Sequence, residues 1–136
     1  MCLTLPYYET VESAQKITKR NIKCYKVVIN GYFPGCPDRV ESLYTKFIYN
    51  IGQLYEIDDF GWRYKQHNHN IREVHEGFHS YKKKSLAKHW YKQAKETLIP
   101  NNILLVECII PKGAKYIEVD DYYVSTQIIV KKVIKK

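Results

Sequence analysis

The stretch "ILLVECII", residues 103–110, is an almost unbroken apolar run, with two asparagines before it and Pro111 after it. An apolar run of this length, bounded by turn-forming residues, is typical of a strand whose two faces are both covered by the rest of the protein. We therefore predict that residues 103–110 form the central strand of the sheet.

The segment before this strand, residues 82–98, has the clearest helical pattern in the chain. Its apolar residues recur at helical spacing along one arc, which is the pattern of a helix packed on a core. The arc consists of Leu86, Ala87, Trp90, Tyr91, Ala94 and Leu98, and a basic stripe beside it consists of Lys84, Lys88, Lys92 and Lys95. Pro100 ends the pattern, because a proline removes a backbone donor and cannot continue a helix.

The flanking segments are rich in residues that favour strands. Residues 22–30, "IKCYKVVIN", predict a strand, and the Gly- and Pro-rich residues 31–38 predict a loop. Residues 38–44 predict a short helix or turn, followed by a strand over 46–50. Residues 57–70 predict a polar loop with some strand character.

The last third of the chain predicts several further strands after the turn "PKGAK". The order of strands, one helix and then more strands is that of an α+β protein. We expect a single domain over residues 1–136, with a largely antiparallel sheet, one main amphipathic helix over about 82–98 and a β-rich C-terminal third.

The net charge is the first indication of function. The chain has 22 Lys and Arg residues against 14 Asp and Glu residues, a formal charge of +8, and it contains 13 tyrosines. A basic protein favours anionic partners such as nucleotides, phosphates or nucleic acid, and aromatic faces beside cations suit nucleobases. An AT-rich coding sequence would produce the same excess of lysine and tyrosine, so composition alone leaves both explanations open.

The N-terminal residues lack the basic and apolar regions of a signal peptide, and no apolar run is long enough to span a membrane. We therefore expect a cytoplasmic protein without a membrane partner. Its cysteines are scattered without a C-x-x-C pair, so we expect free thiols and no zinc ribbon. They are Cys2, Cys24, Cys36 and Cys108.

Residues 75–81, "HEGFHSY", match the zinc-protease pattern H-E-x-x-H. That chemistry needs both histidines on one helical turn, with the glutamate beside the metal as the base. Gly77 lies in the middle of the motif, and the residues around it alternate as in a strand. A looser site formed by His67, His69, His75 and His79 is a second alternative, but we expect no metal and no cofactor.

A third interpretation places an anion where the predicted strand meets the predicted helix. Ser80 would cap the helix, and the exposed backbone N–H groups of a helix start favour a phosphate. Three lysines follow at 82–84, and His79 could act there as a hydrogen-bond donor or as an acid or base. The structural alternative is that Ser80 only caps the helix and the lysines are solvated. Cys2 would become an N-terminal nucleophile if the initiator Met were removed, although a partly buried cysteine is the simpler explanation.

Several segments together resemble a family of small proteins without an assigned function from bacteriophages and gut-bacterial mobile elements. They are "MCL" (1–3), "IKCYKVV" (22–28), "EGFHSY" (76–81), "CIIPKGAKYIE" (108–118) and "YYVSTQIIV" (122–130). The resemblance covers most of the chain. It implies a protein acting in the host bacterial cytoplasm, where small phage proteins often counter immunity by sequestering or cleaving cyclic-nucleotide signals.

The chain also shows a fainter similarity to the ADP-ribosyltransferase-like fold, at Tyr25-Lys26, at His79-Ser80 and at Gln127. The similarity implies a nucleotide pocket. Gln127 stands where that fold has its catalytic glutamate, and an amide cannot act as the carboxylate. The similarity therefore implies a nucleotide pocket more than it implies transferase activity.

We predict a protein that binds a nucleotide, such as a cyclic dinucleotide immune signal, in a basic and tyrosine-rich pocket, as a homo-oligomer. The residues predicted to line that pocket are Tyr25, Lys26, His79, Ser80, Tyr81, Lys112, Tyr123 and Ser125. One alternative is a metal-independent phosphodiesterase or ADP-ribosyltransferase-like enzyme with His79 as its catalytic residue. Another is a protein-interaction module with a basic docking face, and nucleic acid is a further anionic partner.

Overall fold

The computed structural model describes residues 3–30, 39–42, 47–97 and 102–135. Its elements in chain order are β1 (Leu3–Thr4), α1 (Val11–Ala14), β2 (Lys16–Ile17), β3 (Ile22–Ile29), β4 (Arg39–Ser42), β5 (Ile48–Asn50), β6 (Leu54–Glu56), β7 (Gly61–Lys65), β8 (Asn68–Glu76), β9 (Phe78–Tyr81), α2 (Lys84–Thr97), β10 (Ile103–Ile110), β11 (Lys115–Val119), β12 (Tyr122–Ser125) and β13 (Gln127–Lys135). The predicted α+β class, with one main helix and a β-rich C-terminal third, is confirmed.

Strand β10 is the centre of the larger sheet, as its apolar run predicts. It pairs along its full length with β3, from Ile103 opposite Ile29 to Ile110 opposite Ile22, and its other edge pairs with β13. Seven of its eight residues are buried. A strand needs apolar residues on both faces when both faces are covered. This explains why apolar and polar residues do not alternate along β10.

The strands form two antiparallel sheets. The larger has the order β2-β11-β12-β9-β3-β10-β13-β6, with β4 pairing with β3 and β5, and the smaller has the order β1-β8-β7. Every pairing between described strands is antiparallel, which confirms the largely antiparallel sheet.

Helix α2 covers one face of β3 and β10. It buries Ala87, Tyr91 and Ala94, which recur at helical spacing, against Val27 and Leu105. The helix lies within the predicted range of about 82–98, although residue 98 is outside the described residues. Trp90, which was predicted to face the core, is 40% exposed.

The opposite face of the same strands forms a second apolar cluster. Cys24 and Val28 of β3 and Val106 and Cys108 of β10 are fully buried there, because side chains alternate between the two faces of a strand. A third cluster joins the smaller sheet to β11 and β12, and Leu5, Val74, Ile117 and Val124 are its fully buried members.

Two predicted elements are corrected by the structure. Residues 39–42 form strand β4 rather than a helix or turn, because Val40 and Ser42 fit an alternating buried face and β4 pairs with β3 and β5. The predicted loop over 57–70 contains a β-hairpin, in which β7 pairs with β8. Within the described residues, neither helix combines the length and the apolarity that a membrane crossing requires.

Candidate functional site

The residues predicted to line the pocket are placed mostly inside the protein. Tyr25 and Tyr81 are opposite each other on β3 and β9, and both pack beneath α2. Lys26, Ser80 and Ser125 are buried on the other side of the sheet, at 8%, 1% and 0% exposure. These five residues therefore do not form an open pocket.

Lys26 is the centre of a buried polar cluster. Its Nζ donates a hydrogen bond to the backbone oxygen of His79 and lies 5.7 Å from the centre of the Tyr49 ring. Burial lowers the pKa of Lys26, although the nearby thiols of Cys24 and Cys108 act in the opposite direction. The ammonium is thus a structural group held by a carbonyl and an aromatic face.

Two thiols lie beside this lysine. Cys24 and Cys108 are directly opposite each other on β3 and β10, and both are fully buried. Burial raises the pKa of Cys24, but contacts with the Cys108 thiol and the Ser80 hydroxyl and the charge of Lys26 together bring it below its ordinary value. Burial and the contact with Cys24 raise the pKa of Cys108. Cys24 is therefore the more acidic thiol of the pair.

Ser80 does not have its predicted role as a helix cap. It lies within β9, opposite Tyr123 of β12, and α2 begins only at Lys84. Its hydroxyl contacts the Cys24 thiol but has no hydrogen-bond partner of good geometry among the described residues. The predicted phosphate site at a Ser80 cap is wrong, because strand pairing continues to Tyr81.

His79 is held by backbone oxygens. Its Nδ1 lies 3.2 Å from the oxygen of Gly77, and its Nε2 lies 3.2 Å from the oxygen of Val74. Burial, followed by the Lys26 charge, lowers the pKa of His79 to about 4, against the effect of the two carbonyls. The ring is therefore neutral near pH 7, with one nitrogen donating a hydrogen bond.

The H-E-x-x-H motif does not have the geometry that zinc chemistry requires. Strand β8 ends at Glu76, Gly77 adopts a φ of +148°, and β9 begins at Phe78, so His75 and His79 lie on two strands instead of one helical turn. Among the described residues, no three His, Cys, Asp or Glu side chains are grouped so that they could hold a metal ion.

An open groove lies elsewhere on the larger sheet, between residues 16–23 and the strands β11 and β12. Its volume is about 1080 Å³. We call it the basic groove, because five cations line it together with two tyrosine rings. These residues are Lys16, Lys19, Arg20, Lys23, Lys82, Tyr116 and Tyr123.

The wall of the basic groove is held in place by hydrogen bonds to the turn after β10. The Thr18 hydroxyl donates to the oxygen of Pro111 at 2.7 Å and accepts from the N–H of Ala114 at 3.1 Å. The side-chain oxygen of Asn21 accepts from the N–H of Lys112 at 2.9 Å. Thr18 is buried, whereas Lys19 and the residue after it are exposed. The wall is therefore anchored by its polar residues and presents its cations to solvent.

The charges of the basic groove are only partly neutralised. Lys82 donates to Glu118 at 3.0 Å, which raises the pKa of Lys82, and Lys23 lies 3.7 Å from Glu107. Within the described part of the chain, no carboxylate lies within 4 Å of the other three cations, Lys16, Lys19 and Arg20, and no carboxylate lines the groove. The surface is therefore complementary to an anion.

Two tyrosine rings lie beside these cations, but Tyr123 is only 6% exposed and packs in the core, so Tyr116 is the ring of the two that is more open to solvent. The rings of Tyr116 and Tyr123 are 6.0 Å apart at an interplanar angle of 77°, and Tyr116 is half-buried. Burial raises the pKa of Tyr123, and the Glu118 carboxylate adds to this effect. Its hydroxyl therefore keeps its proton near pH 7 and can act as a hydrogen-bond donor.

Of the eight predicted site residues, only Tyr123 lines the basic groove, and Lys112 lies at its edge through the contact with Asn21. The groove wall over residues 16–23 was not among the site residues predicted from the sequence. The available signal was the spacing of four cations in "KITKRNIK", residues 16–23. That spacing indicates a groove only once Tyr116 and Tyr123 are known to lie beside the cations, and these tyrosines are about a hundred positions further along the chain.

No protein-family model, curated protein or solved structure matches this chain. The resemblance to phage proteins and to the ADP-ribosyltransferase-like fold therefore stays a prediction. The function is inferred from the contacts and charges of the chain itself.

Proposed function

We propose that this protein binds a nucleotide in the basic groove, and that its ligand is a cyclic dinucleotide immune signal sequestered in a bacterial host. One observation carries the proposal: a groove of about 1080 Å³ is lined by five cations, by the half-buried Tyr116 and the edge of the buried Tyr123, and by no carboxylate among the described residues. The site is the one lined by residues 16–23, Lys82, Tyr116 and Tyr123, and Tyr123 is the residue that it shares with the predicted set.

The phosphates would bind the cations that have no carboxylate partner. Lys19 and Arg20 are exposed on a wall whose backbone Thr18 anchors, so the ordering cost on binding falls mainly on their side chains. Arg20 can form two parallel hydrogen bonds to one phosphate, whereas a lysine acts as a point charge. Two separated phosphates would use more of the five cations than one phosphate would, which favours a dinucleotide.

A base would stack on Tyr116, which is half-buried, because stacking on an aromatic ring tolerates any base. Tyr123 is only 6% exposed, so its part would be limited to a hydrogen bond from its hydroxyl to a base edge. The groove volume lies at the upper end of the range for small-ligand sites, which is more space than a single phosphate or sugar requires.

The geometry favours binding over a reaction catalysed by His79. That ring does not line the basic groove, and both of its nitrogens face backbone oxygens. A general acid or base has to reach the reacting atom directly or through one water molecule. Sequestration of an intact ligand is therefore the function that the groove supports best.

Calorimetric titration tests this proposal with cyclic dinucleotides, a mononucleotide and inorganic phosphate as ligands. The Lys19→Gln, Arg20→Gln double variant should bind a cyclic dinucleotide about tenfold or more weakly, since hydrogen bonds to charged groups contribute about 1.5–3 kcal/mol each before solvent screening. The matched control is Lys84→Gln with Lys92→Gln, which removes the same charge from exposed positions of α2.

The outcomes separate the candidate functions. Intact ligand recovered after incubation supports sequestration, whereas cleaved ligand supports the enzyme alternative. An equal loss of affinity in the α2 variant would show that net charge alone attracts the ligand, which contradicts a site in the groove. Binding of none of the nucleotides refutes the proposal and leaves the basic docking face as the remaining interpretation.

A further inference from the structure

The β7–β8 hairpin presents aromatic side chains to solvent. Every residue from 62 to 70 is exposed, including Trp62 at 38% and Tyr64 at 43%, and Tyr7 nearby is 73% exposed. Large aromatic rings are normally covered, and a group of them on one exposed surface marks a binding site more often than isolated ones do.

The rings of this hairpin are arranged around one arginine. Trp62 and Tyr64 lie two residues apart on β7, so they share a face, and their ring centres are 5.2 Å apart. The Arg72 guanidinium lies 5.5 Å from the Trp62 ring centre and 5.4 Å from the Tyr64 ring centre. Arg72 also donates a hydrogen bond to the backbone oxygen of Glu9 at 3.3 Å, and this bond restrains the guanidinium beside the two rings.

A cleft of about 500 Å³ opens beside these rings. Tyr7, Tyr64 and His69 line it with Arg72, and the ring centres of Tyr64 and His69 are 6.3 Å apart. The amide side chains of Asn68 and Asn70 complete the polar part of its wall. The cleft therefore combines stacking faces with groups that can both donate and accept hydrogen bonds.

The charge of the hairpin favours a polyanion. Residues 61–72 contain Arg63, Lys65 and Arg72 and no Asp or Glu. Two carboxylates flank this stretch: Glu73 lies 3.7 Å from the Nε of Arg63, and Glu76 lies against Gly61 at the start of β7. The face lacks the exposed aliphatic residues of a protein-docking groove, because Ile71 is its one aliphatic side chain and is half-buried.

We propose that the β7–β8 hairpin binds single-stranded nucleic acid by stacking unpaired bases on Trp62 and Tyr64. Aromatic rings on a strand, with arginine beside them, form a platform for bases, and the basic residues of the hairpin contact the phosphates. A duplex keeps its bases stacked on one another and cannot use the rings. This site is separate from the basic groove, and its residues do not overlap with the lining of the groove.

Tryptophan fluorescence reports on this contact directly, because the chain has two tryptophans, Trp62 and Trp90. In the Trp90→Phe variant the emission comes from Trp62 alone. A twelve-nucleotide oligothymidine should quench this emission, and an abasic oligomer with the same number of phosphates should quench it much less. Equal quenching by the two oligomers would show binding through phosphates without stacking and would overturn the proposal.

Affinity measured by fluorescence anisotropy of a labelled oligothymidine provides the second test. The Trp62→Ala, Tyr64→Ala variant should bind about 5- to 150-fold more weakly for each base that loses its stacking partner. Trp90→Ala is the matched control, since Trp90 is 40% exposed on α2 and should leave the affinity unchanged.

Three results would overturn the proposal: unchanged affinity in the hairpin variant, an equal loss in the Trp90→Ala control, or equal affinity of the wild-type protein for a duplex of the same length. Binding of cyclic dinucleotides should be unaffected by the hairpin variant. Failure at this site is therefore distinguishable from failure of the proposed function.

Discussion

The buried ammonium of Lys26 makes the stability of this protein depend on pH in a direction that can be worked out. We consider the Lys26→Met variant, which keeps an unbranched chain and removes the charge. The substitution loses a charge-assisted hydrogen bond to the His79 carbonyl, about 1.5–3 kcal/mol, and a contact with the Tyr49 ring, about 0.5–2 kcal/mol. It also removes the cost of burying an ammonium, which is several kcal/mol. These contributions have opposite signs wherever the folded protein carries the proton, so the net change in stability is smaller than their sum.

The free energy of unfolding of the wild-type protein relative to Lys26→Met nevertheless depends on pH. The pKa of Lys26 in the folded state is lowered by burial from its unfolded value of 10.5. At a pH below the folded-state pKa, Lys26 is protonated in both the folded and the unfolded protein, and the folded protein bears the full cost of burying the ammonium. Between the two pKa values only the unfolded state carries it, so the free energy of unfolding of the wild-type protein rises with pH. The rise relative to Lys26→Met reaches about 1.4 kcal/mol per pH unit in that window.

Urea denaturation of both proteins at intervals between pH 7 and pH 10.5 measures this difference. Taking the wild-type value minus the Lys26→Met value removes the contribution of groups that titrate equally in both proteins. The thiols of Cys24 and Cys108 face the ammonium, so the comparison is repeated with both changed to serine. Lys92→Met, at an exposed position of α2, should show a difference that is constant with pH. A constant difference for Lys26→Met as well would refute the assignment of a buried, destabilised ammonium.

Two further predictions concern the packing of the fold. Gly77→Ala should lower the free energy of unfolding by about 1–3 kcal/mol in thermal or urea denaturation, because the backbone has a φ of +148° and the added Cβ would lie 2.5 Å from Val124 Cγ2. Gly113→Ala, at a φ of +89° with open space around it, should cost less, and an equal loss would contradict the steric explanation. Leu105→Ala should cost about 2–5 kcal/mol, because the side chain is fully buried beneath α2. Leu54→Ala, at a side chain that is 46% exposed, should cost much less, and similar losses would show that β10 is not the centre of the core.

The main elements of the fold could be predicted because their patterns are local. The apolar run of β10 and the helical spacing of α2 depend on neighbouring residues, and the structure has both close to the predicted positions. Strand β4 could not be predicted in the same way. The spacing of Val40 is compatible with a helix, and its strand conformation depends on pairing with Tyr49 and on the edge of β3.

The candidate site shares little with the site predicted from the sequence. Tyr123 alone of the predicted residues lines the basic groove, and the cations of the groove come from residues 16–23 and from Lys82. The aromatic hairpin was predicted as a polar loop with some strand character, because its one tryptophan and one tyrosine alternate with polar residues and no local pattern shows which face is covered.

The sequence by itself determined the strand over 103–110, the helix that follows residue 82 and the excess of positive charge, because each follows from residue types at short spacing. The tertiary structure decided what each charge does. Lys23 and Lys26 lie three residues apart on β3, yet the side chain of Lys23 is 60% exposed at the basic groove and Lys26 is 8% exposed in the core. The difference arises because β9, β10 and the Tyr49 ring cover one of them, and residues so distant along the chain leave no local pattern in the sequence.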